Sequence, residues 1–128
     1  MLIIERLNFA YEQIENLYSY DLIVAPGEIV AITGRSGAGK STLLDLVAGF
    51  VEPLSGSITF NETDLTLLPP EKRPVSILFQ ADNLFDHLSV YANLSLGLAA
   101  DSEKNRALET ALKEVGLSGF GNRRARDL

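Results

Sequence analysis

The sequence predicts an α/β fold, and three observations predict it. Apolar residues alternate with a period of two early in the chain and recur at helical spacing late in it. Two short, almost wholly apolar runs, residues 29–33 and 75–79, read as strands buried on both faces. A glycine-rich loop stands between the first of these runs and a helical stretch.

Residues 2–9 form the first predicted strand. In 17–24, Tyr18, Tyr20, Leu22 and Val24 fall on one face and Ser19 and Asp21 on the other, as in a strand with one buried face. The Pro26-Gly27 pair turns the chain before the run 29–33. Loop 34–39 leads into a largely apolar helix over 42–48, which Gly49 can end in the left-handed conformation. Residues 53–56 turn the chain into a brief strand, 57–60. Pro69, Pro70 and Pro74 bracket an irregular stretch before the run 75–79. Ser89 caps a helix running to Leu98. A second helix carries Leu108, Ala111, Leu112 and Val115 at i, i+3, i+4 and i+7, with Gly116 where a C′ glycine belongs. The front half is thus strand-rich and the back half helical, and the two apolar runs imply a buried, largely parallel sheet.

Composition narrows the function classes. The 128 residues suit one domain with one core, and 46% hydrophobic with 22% charged residues is ordinary for a globular chain. The formal charge of −6, from 17 acidic and 11 basic side chains, argues against nucleic acid as a partner, because a phosphate-backbone binder replaces counterions with Lys and Arg. The local cluster Arg123, Arg124 and Arg126 reads as a solvated helix face, and Lys72 and Arg73 as solvated turn charges. Tyr18 and Tyr20 read as strand-packing residues rather than a ligand box. No apolar run approaches the roughly 20 residues of a membrane-spanning helix. The N-terminal residues lack the pattern of a secretory signal, and the absence of cysteine excludes disulfides and thiolate metal sites.

Gly34-Arg35-Ser36-Gly37-Ala38-Gly39-Lys40-Ser41 fits G-x-x-x-x-G-K-[ST]. A triphosphate concentrates negative charge, and this pattern wraps it with backbone N–H groups that point inward as a nest. Side chains at Gly34, Gly37 and Gly39 would obstruct that approach. The helix beginning near Lys40 adds unpaired N–H groups and its positive end, with Thr42 in its first turn. Lys40 supplies a mobile charge to the β- and γ-phosphates, and Ser41 a hydroxyl ligand for Mg²⁺. The expected ligands are ATP and Mg²⁺.

Over essentially its whole length the sequence resembles the ATP-binding subunit of ABC transporters. Tyr11 follows the first strand, where the family places an aromatic that stacks on adenine. Pro26-Gly27-Glu28, residues 55–60, and Val75-Ser76-Ile77-Leu78-Phe79-Gln80 match successive family segments, the last ending in the Q-loop glutamine. Residues 84–90, Asn93 and the approach 124–128 to the signature motif also match. Within the family, residues 73–76 and 78–85 look most like thiamine importers. The resemblance implies a P-loop NTPase core with an antiparallel β subdomain and the start of the helical subdomain, truncated before the signature motif. It divides the chain into a nucleotide-binding core, 1–80, and a helical start, 81–128.

The resemblance also implies roles and partners. Gln80 would touch Mg²⁺ and the attacking water. Membrane-spanning permease subunits would dock a coupling helix on residues 81–98, near Leu84, Phe85 and Tyr91. A periplasmic solute-binding protein would act indirectly, the full-length protein would dimerise with ATP, and its place would be the cytoplasmic face of the membrane. The signature serine and glycines, the Walker B aspartate, the water-polarising glutamate and the switch histidine are absent from these 128 residues. The expectation is therefore nucleotide binding without hydrolysis. His87, the sole histidine, stands outside the switch motif and reads as a surface or interface residue. Two rivals are a small-molecule or nucleotide kinase and a non-catalytic nucleotide-binding module. The kinase would need acceptor-binding arginines after the loop, and residues 51–60 contain none.

Overall fold

A computed structural model describes residues 1–11, 17–98 and 104–128. They divide into two compact units, Met1–Ile77 and Leu78–Leu128. In the first unit, β1 (Leu2–Phe9), β2 (Tyr18–Val24), β3 (Ser55–Phe60) and β4 (Thr63–Asp64) form an antiparallel sheet of order β2-β1-β3-β4. Helix α1 (Lys40–Ala48) follows the glycine loop. Ile4, Leu7 and Phe9 of β1, Ile58 of β3, Leu43 and Leu46 of α1, and Leu65 make one buried cluster. The side chains therefore seat α1 on the sheet.

β1 reaches that cluster from both even and odd positions, which a regular strand cannot do. A bulge between Ile4 and Leu7 shifts the register, with Arg6 at φ 46° and its N–H donating to Asp21 Oδ1 at 2.8 Å. The extra residue switches the facing side chains from Ile4 to Leu7 and Phe9. Opposite the bulge, a Cβ on Gly56 would lie 2.2 Å from the Arg6 carbonyl oxygen, so only glycine fits. β3 and β4 are joined through Asn61 and Glu62, both at positive φ, the signature of a type I′ hairpin turn.

In the second unit, Ser89 caps α2 (Val90–Ser95) by accepting from the Ala92 N–H at 3.1 Å. That helix is shorter than the sequence implies. Helix α3 (Lys104–Glu114) buries Leu108 and Leu112, and Gly116 follows it at φ 75°. Val115 lies past the helix end and is 68% exposed, so the predicted apolar stripe stops one turn early. Backbone bonds from Val90 and Tyr91 to the carbonyls of Arg123 and Gly121 bind the C-terminal segment to α2. No helix among the described residues is long and apolar enough to cross a membrane.

Two sequence expectations fail here. Residues 29–33 and 75–79 are not strands; Ile29 is 97% exposed and Leu78 83%. No described strand hydrogen-bonds to either run, so the expected parallel sheet is absent among the described residues and the sheet present is antiparallel. A strand buried on both faces exists only with a ladder beside it, and a residue pattern cannot supply the neighbour.

Arg73 is the other correction. It is buried, not solvated, whereas Lys72 is exposed. Its Nη1 donates to the Leu46 and Val47 carbonyls at 2.7 and 3.0 Å, its Nε to Leu68 at 2.7 Å and its Nη2 to Thr66 at 3.1 Å. Burial lowers its pKa, and these carbonyls take the place of water around the charge. Two of them belong to the last turn of α1, where a cation complements the helix dipole. Arg73→Met should destabilise the first unit by about 3 kcal/mol, since buried carbonyls lose charged donors. Lys72→Met should change it by under roughly 0.5 kcal/mol. Denaturant unfolding of both variants checks the contrast.

Candidate functional site

The loop between residue 34 and α1 turns on two glycines. Gly37 and Gly39 lie in the left-handed region, at φ 80° and 87°. At Gly39 space also decides, because a Cβ would fall 2.5 Å from the Tyr20 hydroxyl and 2.6 Å from the Tyr18 ring. Gly39 is the N-cap of α1 and brings no side-chain cap. The helix ladder opens with the Leu43 N–H donating to the Gly39 carbonyl at 3.0 Å. The N–H groups of Lys40, Ser41 and Thr42 precede that bond and have no intrahelical acceptor. They stand at the positive end of the helix, the arrangement that binds phosphate.

Lys40 Nζ donates to the carbonyls of Gly34 at 2.9 Å and Arg35 at 2.7 Å. An ammonium has three donors, so one remains for a ligand oxygen. The Ala38 N–H donates to the Arg35 carbonyl at 3.2 Å, closing a turn that carries Ser36 and Gly37. An open cavity of about 210 Å³ results, lined by Tyr18, Ser36, Gly37, Gly39, Lys40, Ser41 and Thr42. That is below the roughly 300–1,000 Å³ of pockets that enclose a whole small molecule. It suits phosphate groups and leaves the rest of a nucleotide outside.

Three tyrosines border the loop. Tyr11 is 56% exposed, its hydroxyl 3.1 Å from Thr42 Oγ1 and its ring edge-on to Phe9 at 4.8 Å. Its phenol face is thus available beside the first turn of α1. The Tyr18 hydroxyl donates to the Gly37 carbonyl at 3.2 Å, and that of Tyr20 to the Gly39 carbonyl at 2.8 Å. Burial, and then the neighbouring Tyr18, raise the Tyr20 pKa, which keeps that donor protonated. Sequence reasoning assigned this pair to strand packing. The alternation was read correctly, but a phenol's polar tip seeks a partner and only the fold brings the loop to it.

Gln80 lies exposed in the second unit, whereas the loop and Tyr11 share the first. Asn83 closes the turn that carries Gln80, accepting from the Phe79 N–H at 2.7 Å and donating to its carbonyl at 2.6 Å. Asn93 does the same for Phe85, at 2.7 and 3.0 Å. Both amides replace backbone pairing with side-chain bonds, a role the sequence did not disclose. His87 is exposed, edge-on to Phe85 at 5.9 Å. Arg123 lies 4.3 Å over the Phe120 ring, and Arg126 pairs with Asp127 at 3.7 Å within a 3₁₀ turn rather than on a helix face. For Mg²⁺, Ser41 offers an exposed hydroxyl oxygen in the first helical turn, beside the phosphate cavity. One hard oxygen fits an ion that takes its other ligands from phosphate and water.

The model of the ABC transporter family matches residues 17–128. The thiamine import ATP-binding protein ThiQ of Vibrio cholerae is 45% identical over 127 residues, covering 96% of this chain and 52% of that protein. The chain belongs to the ABC transporter family. The thiamine import ATP-binding protein ThiQ of Brucella suis is 47% identical over 114 residues, 86% of this chain and 47% of that protein. The chain thus spans about half the length of the curated relatives it matches. Among solved structures, an ATP-binding cassette dimer in a post-hydrolysis state bound to ADP and Pi superposes with a TM-score of 0.79. That match has 25% identity and covers 100% of this chain and 63% of that one. The fold is therefore that of the family's ATP-binding cassettes, an α/β P-loop architecture with an antiparallel β subdomain.

Gly39 offers the sharpest test of the loop geometry. Gly39→Ala places a side chain at positive φ and against two phenols. It should weaken tripolyphosphate binding at least roughly tenfold and destabilise the first unit by about 2 kcal/mol. Calorimetric titration together with thermal unfolding measures both effects.

Proposed function

We propose that this chain binds Mg-ATP through residues 34–42, as the nucleotide-binding front part of an importer ATPase for thiamine or thiamine pyrophosphate. One observation carries the phosphate reading: three free helix amides, the Lys40 ammonium and a phosphate-sized cavity converge at the start of α1. The solute reading rests on the names of relatives at 45–47% identity.

In this reading Gly34, Arg35, Ser36, Gly37, Ala38 and Gly39 wrap the phosphates with backbone N–H groups. Lys40 offsets the β- and γ-phosphate charge, the Ser41 hydroxyl holds Mg²⁺, and Thr42 continues the cradle. Mg²⁺ held there would offset part of the negative charge of the bound phosphates. Tyr11 presents its face to adenine. Gln80 would complete the Mg²⁺ and γ-phosphate contacts. Exposed Leu84 and Phe85 would receive the permease on the cytoplasmic face of the membrane. The periplasmic solute-binding protein and an ATP-dependent second copy belong to the same proposal. These 128 residues carry no Walker B carboxylate, signature motif or switch histidine. They therefore bind nucleotide without turning it over, because the groups that position and polarise water are missing.

Lys40→Ala should lose at least roughly tenfold in Mg-ATP affinity by calorimetry, as a charged phosphate contact is removed; an unchanged affinity would refute the site. ATP hydrolysis by the chain should be indistinguishable from that of the same variant. Tyr11→Ala should weaken ATP while leaving tripolyphosphate unaffected, since stacking concerns only the base. Equal losses for both ligands would remove Tyr11 from the adenine site.

A further inference from the structure

We propose that Tyr18 and Tyr20 are positioning residues of the phosphate loop, their hydroxyls holding the Gly37 and Gly39 carbonyls turned away from the polyphosphate. The proposal rests on the phosphate-binding reading above. A nest attracts an anion only while its N–H groups face inward and its carbonyls face outward. A peptide unit is planar and trans, so the direction of one carbonyl fixes the next N–H in the opposite sense. The Gly37 carbonyl thereby sets the Ala38 N–H, which closes the loop's turn on the Arg35 carbonyl at 3.2 Å, and the Gly39 carbonyl sets the Lys40 N–H, which opens α1.

Glycine is where such a unit turns over most readily, because no Cβ resists the change of the glycine's ψ. The loop needs Gly37 and Gly39 for its left-handed turns, and the same choice removes a Cβ restraint from both peptides. Apart from the tyrosines, the 37–38 unit is held by the Ala38 N–H on the Arg35 carbonyl and the 39–40 unit by the Leu43 N–H on the Gly39 carbonyl. A turned 39–40 peptide would aim a carbonyl oxygen at the phosphates and withdraw the Lys40 amide. The two hydroxyl bonds act at these two carbonyls, at 3.2 Å from Tyr18 and 2.8 Å from Tyr20.

The struts come from a rigid base. Tyr18 and Tyr20 lie two residues apart on β2, in register with Phe9 and Leu7 of β1, and their rings stack at 6.4 Å with 13° between planes. The two carbonyls are not equally dependent. Gly39 O also accepts the first helical bond from Leu43 at 3.0 Å, while Tyr18 is the donor found for Gly37 O among the described residues. The other bond of that peptide, from the Ala38 N–H to the Arg35 carbonyl, is longer at 3.2 Å. Loss of the Tyr18 hydroxyl should therefore matter more.

Tyr18→Phe and Tyr20→Phe keep the rings and remove the hydroxyls. The intact chain and both variants would be titrated with Mg-ATP and with tripolyphosphate. Thermal unfolding and amide exchange at Ala38 and Lys40 would be followed in parallel by ¹⁵N NMR. Tyr18→Phe should weaken both ligands roughly fivefold and Tyr20→Phe about twofold, the worth of one hydrogen bond or less. Exchange should quicken at Ala38 in the first variant and at Lys40 in the second. Unchanged affinities in both variants overturn the proposal, even if the melting temperature falls, because hydroxyls that merely tie the loop to β2 would lower stability alone. If the unmodified chain binds neither ligand, the phosphate-binding reading itself has failed. The amide signals then decide: unmoved, they overturn the positioning role; moved, they leave the hydroxyls as what orients the loop.

Discussion

The seat of α1 on the antiparallel sheet is the constraint on which the site depends. Leu43 and Leu46 enter the cluster built by Ile4, Leu7, Phe9 and Ile58, and each buried leucine contributes roughly 2–3 kcal/mol. A nine-residue helix has little stability of its own, so this apolar contact keeps it formed and fixes where its first turn points. The bulge in β1 belongs to the same constraint. Without the switch at Arg6, Leu7 and Phe9 would face away from the cluster, and α1 would lose most of its floor.

The two ends of α1 are treated in opposite ways, and electrostatics gives the reason. At the C-terminal end Gly49 turns left-handed and Arg73 places a buried guanidinium on the Leu46 and Val47 carbonyls. A side chain at Gly49 would meet Arg73 Nε at 2.5 Å, so the glycine serves both the cap and the cation. At the N-terminal end no side chain caps the amides, and that absence is what an anion requires. The chain as a whole is acidic, with a formal charge of −6, yet its loop presents Lys40 and a row of N–H groups. Local backbone geometry, rather than net charge, sets the field that a phosphate meets.

Residues 29–33 and 75–79 show what a strand lacks without its neighbours. Ile29, Val30, Ile32, Leu78 and Phe79 are exposed, and no described strand pairs with the backbone groups of either run. Such segments are templates for strand pairing, which places a demand on whatever polypeptide surrounds them. The loop still keeps its shape beside the first of these runs, because its contacts run to β2 and α1 instead.

The sequence by itself determined the features whose cause is local. The pattern from Gly34 to Ser41 named the phosphate loop, since its glycines and lysine act within a few residues of one another. The alternation in Tyr18–Val24, the Ser89 cap and the glycines after α1 and α3 were legible for the same reason. Tertiary structure decided whatever depends on a distant partner. It buried Arg73, because two of the four carbonyls that solvate its charge lie 27 and 26 residues away in α1. It made Tyr18 and Tyr20, which pack against the buried cluster as the alternation implies, donors as well, because β2 passes beside a loop 19 residues further on. It left 29–33 and 75–79 without a ladder, because a strand needs a hydrogen-bonding neighbour that no residue pattern contains.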